Sequence, residues 1–387
     1  MKLSFKPYTI GLFSIIAILL LASKRPEKTN DPVTVSFPNL PKIQAAILLD
    51  VSNSMDGLIE QAKAQLWNMV SVMGKAKCNE TTPEIEIALY EYGRTTNDPK
   101  QGFVKQISGF TTDLDKLSQQ LFNLTTDGGD EYCGQVIYSS LKNLDWDTAN
   151  SNYKVIFIAG NEDFLQGNLL YTKACSDAKN KGVIVNTIYC GDRVQGIREH
   201  WNLNAECGNG SFTNINQDAK IEEIPTPYDS VIFALNDRLN TTYLTFGAHG
   251  ESAFAAQSNV DKMNYNTNKS AAVKRVEVKG KKELYKNTTW DMVDAAEKDR
   301  SFADKVDMRS LPDSLKNKSR KEIKQLIDTK TIERAEVQKD IEEVTTKRQA
   351  YIVNEKKKSS TKQTATLESE VEKLIKKQAV RFKMVIP

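Results

Sequence analysis

Short, uninterrupted apolar runs alternate along this chain with stretches whose apolar residues recur every three or four positions. Residues 45–49 (AAILL) carry no polar position, the pattern of a strand buried on both faces of a sheet, and Leu58, Ala62, Leu66 and Met69 then return at helical spacing. Residues 84–92 (EIEIALYEY) alternate and then turn apolar, predicting a neighbouring strand that Gly93 ends. A short strand at 103–107 and a helix at 113–122, capped by Thr111 or Thr112, come next, and Val136, Ile137 and Leu141 mark another helix. Residues 153–160 (YKVIFIAG) and the run VIVNTIYCG read as two further buried strands with a helix over 169–181 between them; a short strand follows at 211–215. Strands and helices in alternation predict an α/β fold, a doubly wound, mainly parallel sheet with helices on both faces. No GxGxxG follows the first strand, which argues against a dinucleotide-binding site.

Beyond residue 225 the pattern changes. Residues 230–239 have helical periodicity, 257–286 are rich in asparagine and lysine and read as an exposed polar segment, and 290–295 (WDMVDA) form a small amphipathic helix. From 319 to 351 a long charged helix carries a discontinuous apolar stripe through Ile323, Leu326, Ile327, Ala335, Ile341 and Val344. After the polar break at 356–364, Leu367, Val371, Leu374 and Ile375 resume it. That arithmetic predicts a charged helical hairpin, a coiled-coil-like extension. The expected organisation is a leader at 1–24, a linker at 25–40, the sheet domain at 41–225, a helical extension packing on it at 226–300, and the hairpin at 301–387.

Polar residues cluster where the predicted strands end. The first buried strand stops on Asp50, with Ser52 and Ser54 following at alternate positions; the loop TTDGGDEYCG carries Asp127, Asp130 and Glu131; the strand 153–160 runs into Asn161, Glu162 and Asp163. Open α/β sheets bind ligands at the carboxyl ends of their strands, so three loops bearing oxygen ligands converge on one place. The same residues also have a structural reading, in which Ser54 caps the following helix and Asp50 accepts turn amides.

DVSNSM after a buried strand resembles the metal-ion-dependent adhesion site (MIDAS) of von Willebrand factor type A (vWA) domains. Over residues 43–224 the order of elements is similar too, with DVSNSM, GGDEYCG and AGNEDF as first, second and third site loops. SMDGLIEQAKAQLW, ALYEYG, VNTIYCGD and NTTWDMVDA also resemble a set of bacterial, signal-bearing vWA proteins. The resemblance implies a magnesium ion or another divalent cation held by Ser52 and Ser54, with Asp50 close by, and a coordination position left for a protein partner's carboxylate. Two loops depart from the pattern. Asp130 falls where the second loop usually carries threonine, unless Thr125 or Thr126 reaches in, and the third loop has Gly160 where an aspartate is usual, so that Glu162 or Asp163 must stand in. The expectation is that the acid has moved from third loop to second, giving a metal set of Asp50, Ser52, Ser54, Asp130 and Glu162. The alternative is a degenerate site.

Charge and composition narrow the role. In 387 residues, 53 basic side chains nearly balance 50 acidic ones, a net charge of +3, which gives no electrostatic case for nucleic acid. The two histidines, His200 and His249, sit beside no nucleophile motif, and the expectation is that the protein is not an enzyme. Lys2 and Lys6 precede an apolar block at 8–22, which reads as a signal peptide or, uncleaved, an N-terminal membrane anchor, placing the protein in the periplasm or cell envelope. Five cysteines, an odd number, allow at most two bridges, with Cys190 to Cys207 favoured. The function expected is protein–protein interaction or adhesion through a divalent cation. The alternative is a structural scaffold acting, or self-associating, through its C-terminal helices.

Overall fold

The structure is a computed structural model that describes residues 41–219, 224–358 and 366–386. The expected leader and linker lie outside the described residues. Six strands, β1 (Lys42–Asp50), β2 (Glu84–Tyr92), β3 (Val104–Thr111), β4 (Tyr153–Gly160), β5 (Ile184–Cys190) and β6 (Phe212–Ile215), form one sheet in the order β3-β2-β1-β4-β5-β6. All neighbours are parallel except the edge strand β3, which runs antiparallel to β2. The order reverses at β1, so the carboxyl end of β1 lies at the switch point where doubly wound sheets open a crevice.

The helices of the sheet region are α1 (Asp56–Met73), α2 (Leu114–Phe122), α3 (Cys133–Asn143), α4 (Tyr171–Lys181), α5 (Arg193–Arg198) and α6 (Trp201–Cys207). After them come α7 (Asp229–Asn240), α8 (Gly250–Thr267), α9 (Lys269–Lys279), α10 (Met292–Lys298), α11 (Phe302–Lys305), α12 (Arg320–Lys358) and α13 (Leu367–Ala379). The period-two alternation of β1 divides its apolar residues between two cores. Ile43, Ala45, Ile47 and Leu49 join α1 and α2 on one face, whereas Ala46 and Leu48 join α3, α4 and Trp201 of α6 on the other. Covering both faces is what allows β1, β4 and β5 to be apolar at nearly every position.

Several local expectations are corrected. Asp113, rather than Thr111 or Thr112, caps α2, its carboxylate accepting from the Lys116 amide at 2.9 Å. The polar stretch at 257–286 is not an exposed segment: it forms most of α8 and all of α9, because Val260, Ala272, Val273, Val276 and Val278 give it a buried face. Two cations go inside with that face. Arg275, 1% exposed, pairs with Asp115 and Asp261 and lies 4.5 Å above the Trp67 ring of α1; Lys279 pairs with Asp261 and donates to Asn236 and Asn240. Burial pushes the Lys279 ammonium down to about 8 even beside Asp261. Periodicity alone misses such a helix, since paired charges stand where apolar residues would be expected.

The apolar stripes of the two C-terminal helices enter different cores. The stripe of α13 (Leu367, Val371, Leu374, Ile375 and Ala379) enters the core formed by α1, β1 and β4. A buried amide pair fixes it there: Gln378 Nε2 donates to Asn186 Oδ1 at 2.6 Å, Asn186 Nδ2 donates back at 3.0 Å, and the Tyr153 hydroxyl donates to Gln378 at 2.8 Å. Val385 then bridges Lys77 with reciprocal backbone bonds of 2.9 Å. The 39-residue α12 spends its stripe differently. Val337 and Ile341 pack with α7 and α9, Ile323 and Ile327 pack against Leu311 and Met292, and Arg334 is buried against Asp291, Asp294 and the Thr242 carbonyl. Among the described residues no helix is long and apolar enough to cross a membrane.

Candidate functional site

The site begins with the halt of β1. Asp50 is the last residue of the strand, paired in register with Tyr92, and it is fully buried. Its Oδ1 accepts the Ser52 amide at 2.8 Å; its Oδ2 is buried with no hydrogen-bond partner. The turn reading of Asp50 therefore accounts for one carboxylate oxygen only. Ser54 does not cap α1, whose N-cap residue is Met55. Its hydroxyl instead lies 3.5 Å from that of Ser52 and 3.3 Å from Asn161 Oδ1 at the start of the third loop. Buried polar atoms without partners are uncommon, and this one stands at the switch point, where open α/β sheets bind ligands.

The third loop explains its own missing acid. A side chain at Gly160 would fall 2.5 Å from the Tyr92 hydroxyl oxygen and 2.9 Å from Asp50 Oδ2. Tyr92, buried and donating to the Ala159 carbonyl at 3.0 Å, fills the space that an aspartate there would need. Asp163 turns to His200, whose Nδ1 lies 3.0 Å from Oδ1. Glu162 is exposed, its carbonyl taken by the Trp201 indole at 2.8 Å, and its carboxylate acts on Asp50 through charge.

The second loop is placed by backbone packing. Asp127 N donates to Val51 O and Thr95 N to Gly128 O, both at 2.8 Å. The Arg94 guanidinium engages Thr125, and the Thr126 hydroxyl donates to Asp56, so both alternative threonines already have partners. Asp130 is exposed and takes the Tyr132 hydroxyl at 3.1 Å. The acid that is buried is the next residue, Glu131, at 7% exposure. The sequence marks it only as one member of an acidic turn; the signal that could have singled it out is Gly93 at the end of the neighbouring strand.

The electrostatics of the cluster follow from burial and like charge. Desolvation pushes Asp50 up to about 6; the Ser52 hydrogen bonds pull the other way, and the negative charge of Glu162 adds to the rise. Burial, followed by the charges of Asp50, Glu162 and Asp130, pushes Glu131 up to about 8. Two thiols border the site, Cys133 at the first turn of α3 and Cys190 at the end of β5. Both are free, and burial raises both well above the ordinary thiol range. The expected Cys190–Cys207 bridge is thereby corrected: Cys190 is a buried free thiol, and Cys175 is the cysteine shown to be disulfide-bonded.

Among the described residues, no three of His, Cys, Asp and Glu are gathered closely enough to hold a metal by themselves. A hard cation would therefore draw on serine hydroxyls and water as well as carboxylate. The unpartnered Oδ2 of Asp50, the paired hydroxyls of Ser52 and Ser54, and the surplus of negative charge fit that chemistry.

No protein-family model matches the chain, and no curated protein matches it. Solved structures are similar over about half of it. Proximal thread matrix protein 1 from the mussel byssus, in a structure with a zinc-occupied MIDAS motif, is 12% identical over 45% of this chain and 42% of that one, with a TM-score of 0.35. A von Willebrand factor type A structure from Catenulispora acidiphila is 13% identical over 46% of this chain and 39% of that one, at 0.34. An aerotolerance-related membrane protein from Bacteroides fragilis NCTC 9343 is 15% identical over 46% of this chain and 93% of that one, at 0.31. The chain thus spans less than half the length of the first two. The doubly wound fold itself is read from the strand order, the antiparallel edge strand and the position of the DVSNSM loop at the end of β1.

Proposed function

We propose that the protein is an exported, envelope-located vWA-type binding protein that recognises a protein partner through a divalent cation at the carboxyl end of β1. The observation that carries this is the Asp50 carboxylate, fully buried, with one oxygen taken by the Ser52 amide and the other without a partner; the Ser52 and Ser54 hydroxyls lie 3.5 Å apart on the loop that follows it. Asp50 would supply negative charge, Ser52 and Ser54 neutral oxygens, and the third-loop amide Asn161 would orient Ser54. When bound, a divalent cation such as magnesium offers an open coordination position to a partner's carboxylate. Leu165, Leu170, Val194 and Ile197, on the third loop and α5, are apolar and exposed, which is compatible with a protein-binding surface. No nucleophile–base pair stands among these groups, so the reading is of binding and not of turnover. Export rests on the apolar block at 8–22, and attachment to a membrane would follow if that block is retained.

Capture from envelope extracts with the full chain as bait, in magnesium and in EDTA, tests this. The expected result is a partner held in magnesium and released by chelator, and not held by Ser52→Ala. A partner retained equally in EDTA would favour the second reading, a scaffold acting through α12, on which Ile332 and Val353 are exposed.

A further inference from the structure

We infer that Glu131, and not its neighbour Asp130, is the second carboxylate of this site, and that the bare backbone at Gly93 is what admits it. The inference rests on the cation reading above and adds a residue to it. Gly93 follows β2 in the left-handed region, at φ +82, where glycine is favoured. A side chain there would stand 3.0 Å from Asp50 Oδ1, 3.0 Å from Glu131 Cγ and 3.6 Å from the Ser52 amide nitrogen. The two acids therefore border one point beside the first loop, and any residue other than glycine at 93 would stand between them.

The backbone of the second loop is set by the same contact. A side chain at Gly129 would fall 2.6 Å from the Gly93 carbonyl, so the strand end and the loop lie directly on one another just before Glu131. Asp130 takes the outward position, with the Tyr132 hydroxyl on its Oδ2. On the opposite loop, Tyr92 and Asp50 occupy the space beside Gly160, which leaves an acid no room there. The negative charge missing from the third loop is thus supplied from the second. With Asp50 fully buried, Glu131 nearly so and Glu162 adding its charge, negative charge gathers around Gly93, and a bound cation would offset it. Arg94, the nearby cation, is turned to Glu91 and Thr125.

Manganese(II) is the probe: binding to the full chain is followed by the electron paramagnetic resonance of free Mn²⁺, with circular dichroism and thermal unfolding as checks on the fold. Glu131→Gln should weaken Mn²⁺ binding by about tenfold or more, and Asp130→Asn by less than about twofold. Without metal, Glu131→Gln should unfold no earlier than the parent at pH 8, so its loss of binding cannot be loss of fold. If the parent binds and Glu131→Gln binds within about twofold of it, or if Asp130→Asn weakens binding as much, the inference is overturned while the cation reading stands. If the parent itself does not bind, the cation reading fails and takes the inference with it.

Discussion

Replacing Asp50 by asparagine separates a buried charge from a merely polar turn residue. The Asp50 carboxyl is raised from its ordinary 3.8 to about 6, chiefly by burial. With the folded value above the unfolded one, the unfolded chain loses its proton first as pH rises. Stability contributed by this group is present below about pH 4 and is lost as pH climbs through 6. Roughly two pH units at about 1.4 kcal/mol each put the cost of holding the charge near ~3 kcal/mol at pH 8. The asparagine side chain would keep the acceptor for the Ser52 amide and lose that cost, but would bring a buried amide donor worth about 1–3 kcal/mol against it. Urea unfolding of parent and variant in EDTA should therefore show the variant weaker by about 1–3 kcal/mol at pH 4, with the difference moving about 3 kcal/mol in the variant's favour by pH 8. If the substitution had the same effect at both pH values, Asp50 would carry no desolvated charge in the folded protein and the inference from its burial would fail.

Three further outcomes follow from the packing. Gln378→Ala strands the Asn186 amide and the Tyr153 hydroxyl in the core and should cost about 3 kcal/mol in urea unfolding, more than an exposed α12 substitution such as Lys347→Ala, expected within about 0.5 kcal/mol. Arg275→Ala leaves Asp115 and Asp261 with less countercharge and should cost about 3–5 kcal/mol, whereas Arg275→Met, which keeps the stem over Trp67, should cost less; urea unfolding of the two variants side by side checks this. Glu277, beside Lys274, Lys281 and Lys75, is lowered from 4.5 to about 2, so the stability it contributes is present above pH 4.5 and lost as pH falls towards 2; thermal melts of Glu277→Gln should show a shallower acid limb than the parent's.

The sheet was legible because its central strands are buried on both faces, which writes them as unbroken apolar runs; β1, β4 and β5 need no other signal. The end of β1 was legible for a related reason, since Asp50 interrupts such a run. The second acid was not, because which of Asp130 and Glu131 turns inward depends on the missing side chain of Gly93, far upstream at another strand end. Helix α9 was hidden by Arg275 and Lys279, whose burial depends on acids from α2 and α8 that periodicity cannot pair with them. The fate of α13 was hidden too: an amphipathic stripe says that a face is buried, not on what, and the Gln378–Asn186 pair that settles it spans 192 positions.

Whether a hard cation occupies the end of β1 is decided by calorimetric titration of magnesium into the metal-free chain at about pH 7.5, in buffers of different ionisation heat. Saturable heat is expected, with protons released chiefly by Glu131, which is raised to about 8, since Asp50 at about 6 is already ionised; none is expected in the Asp50→Asn variant. No heat in the parent, or identical isotherms for parent and variant, would mean that the buried carboxylate holds no ion.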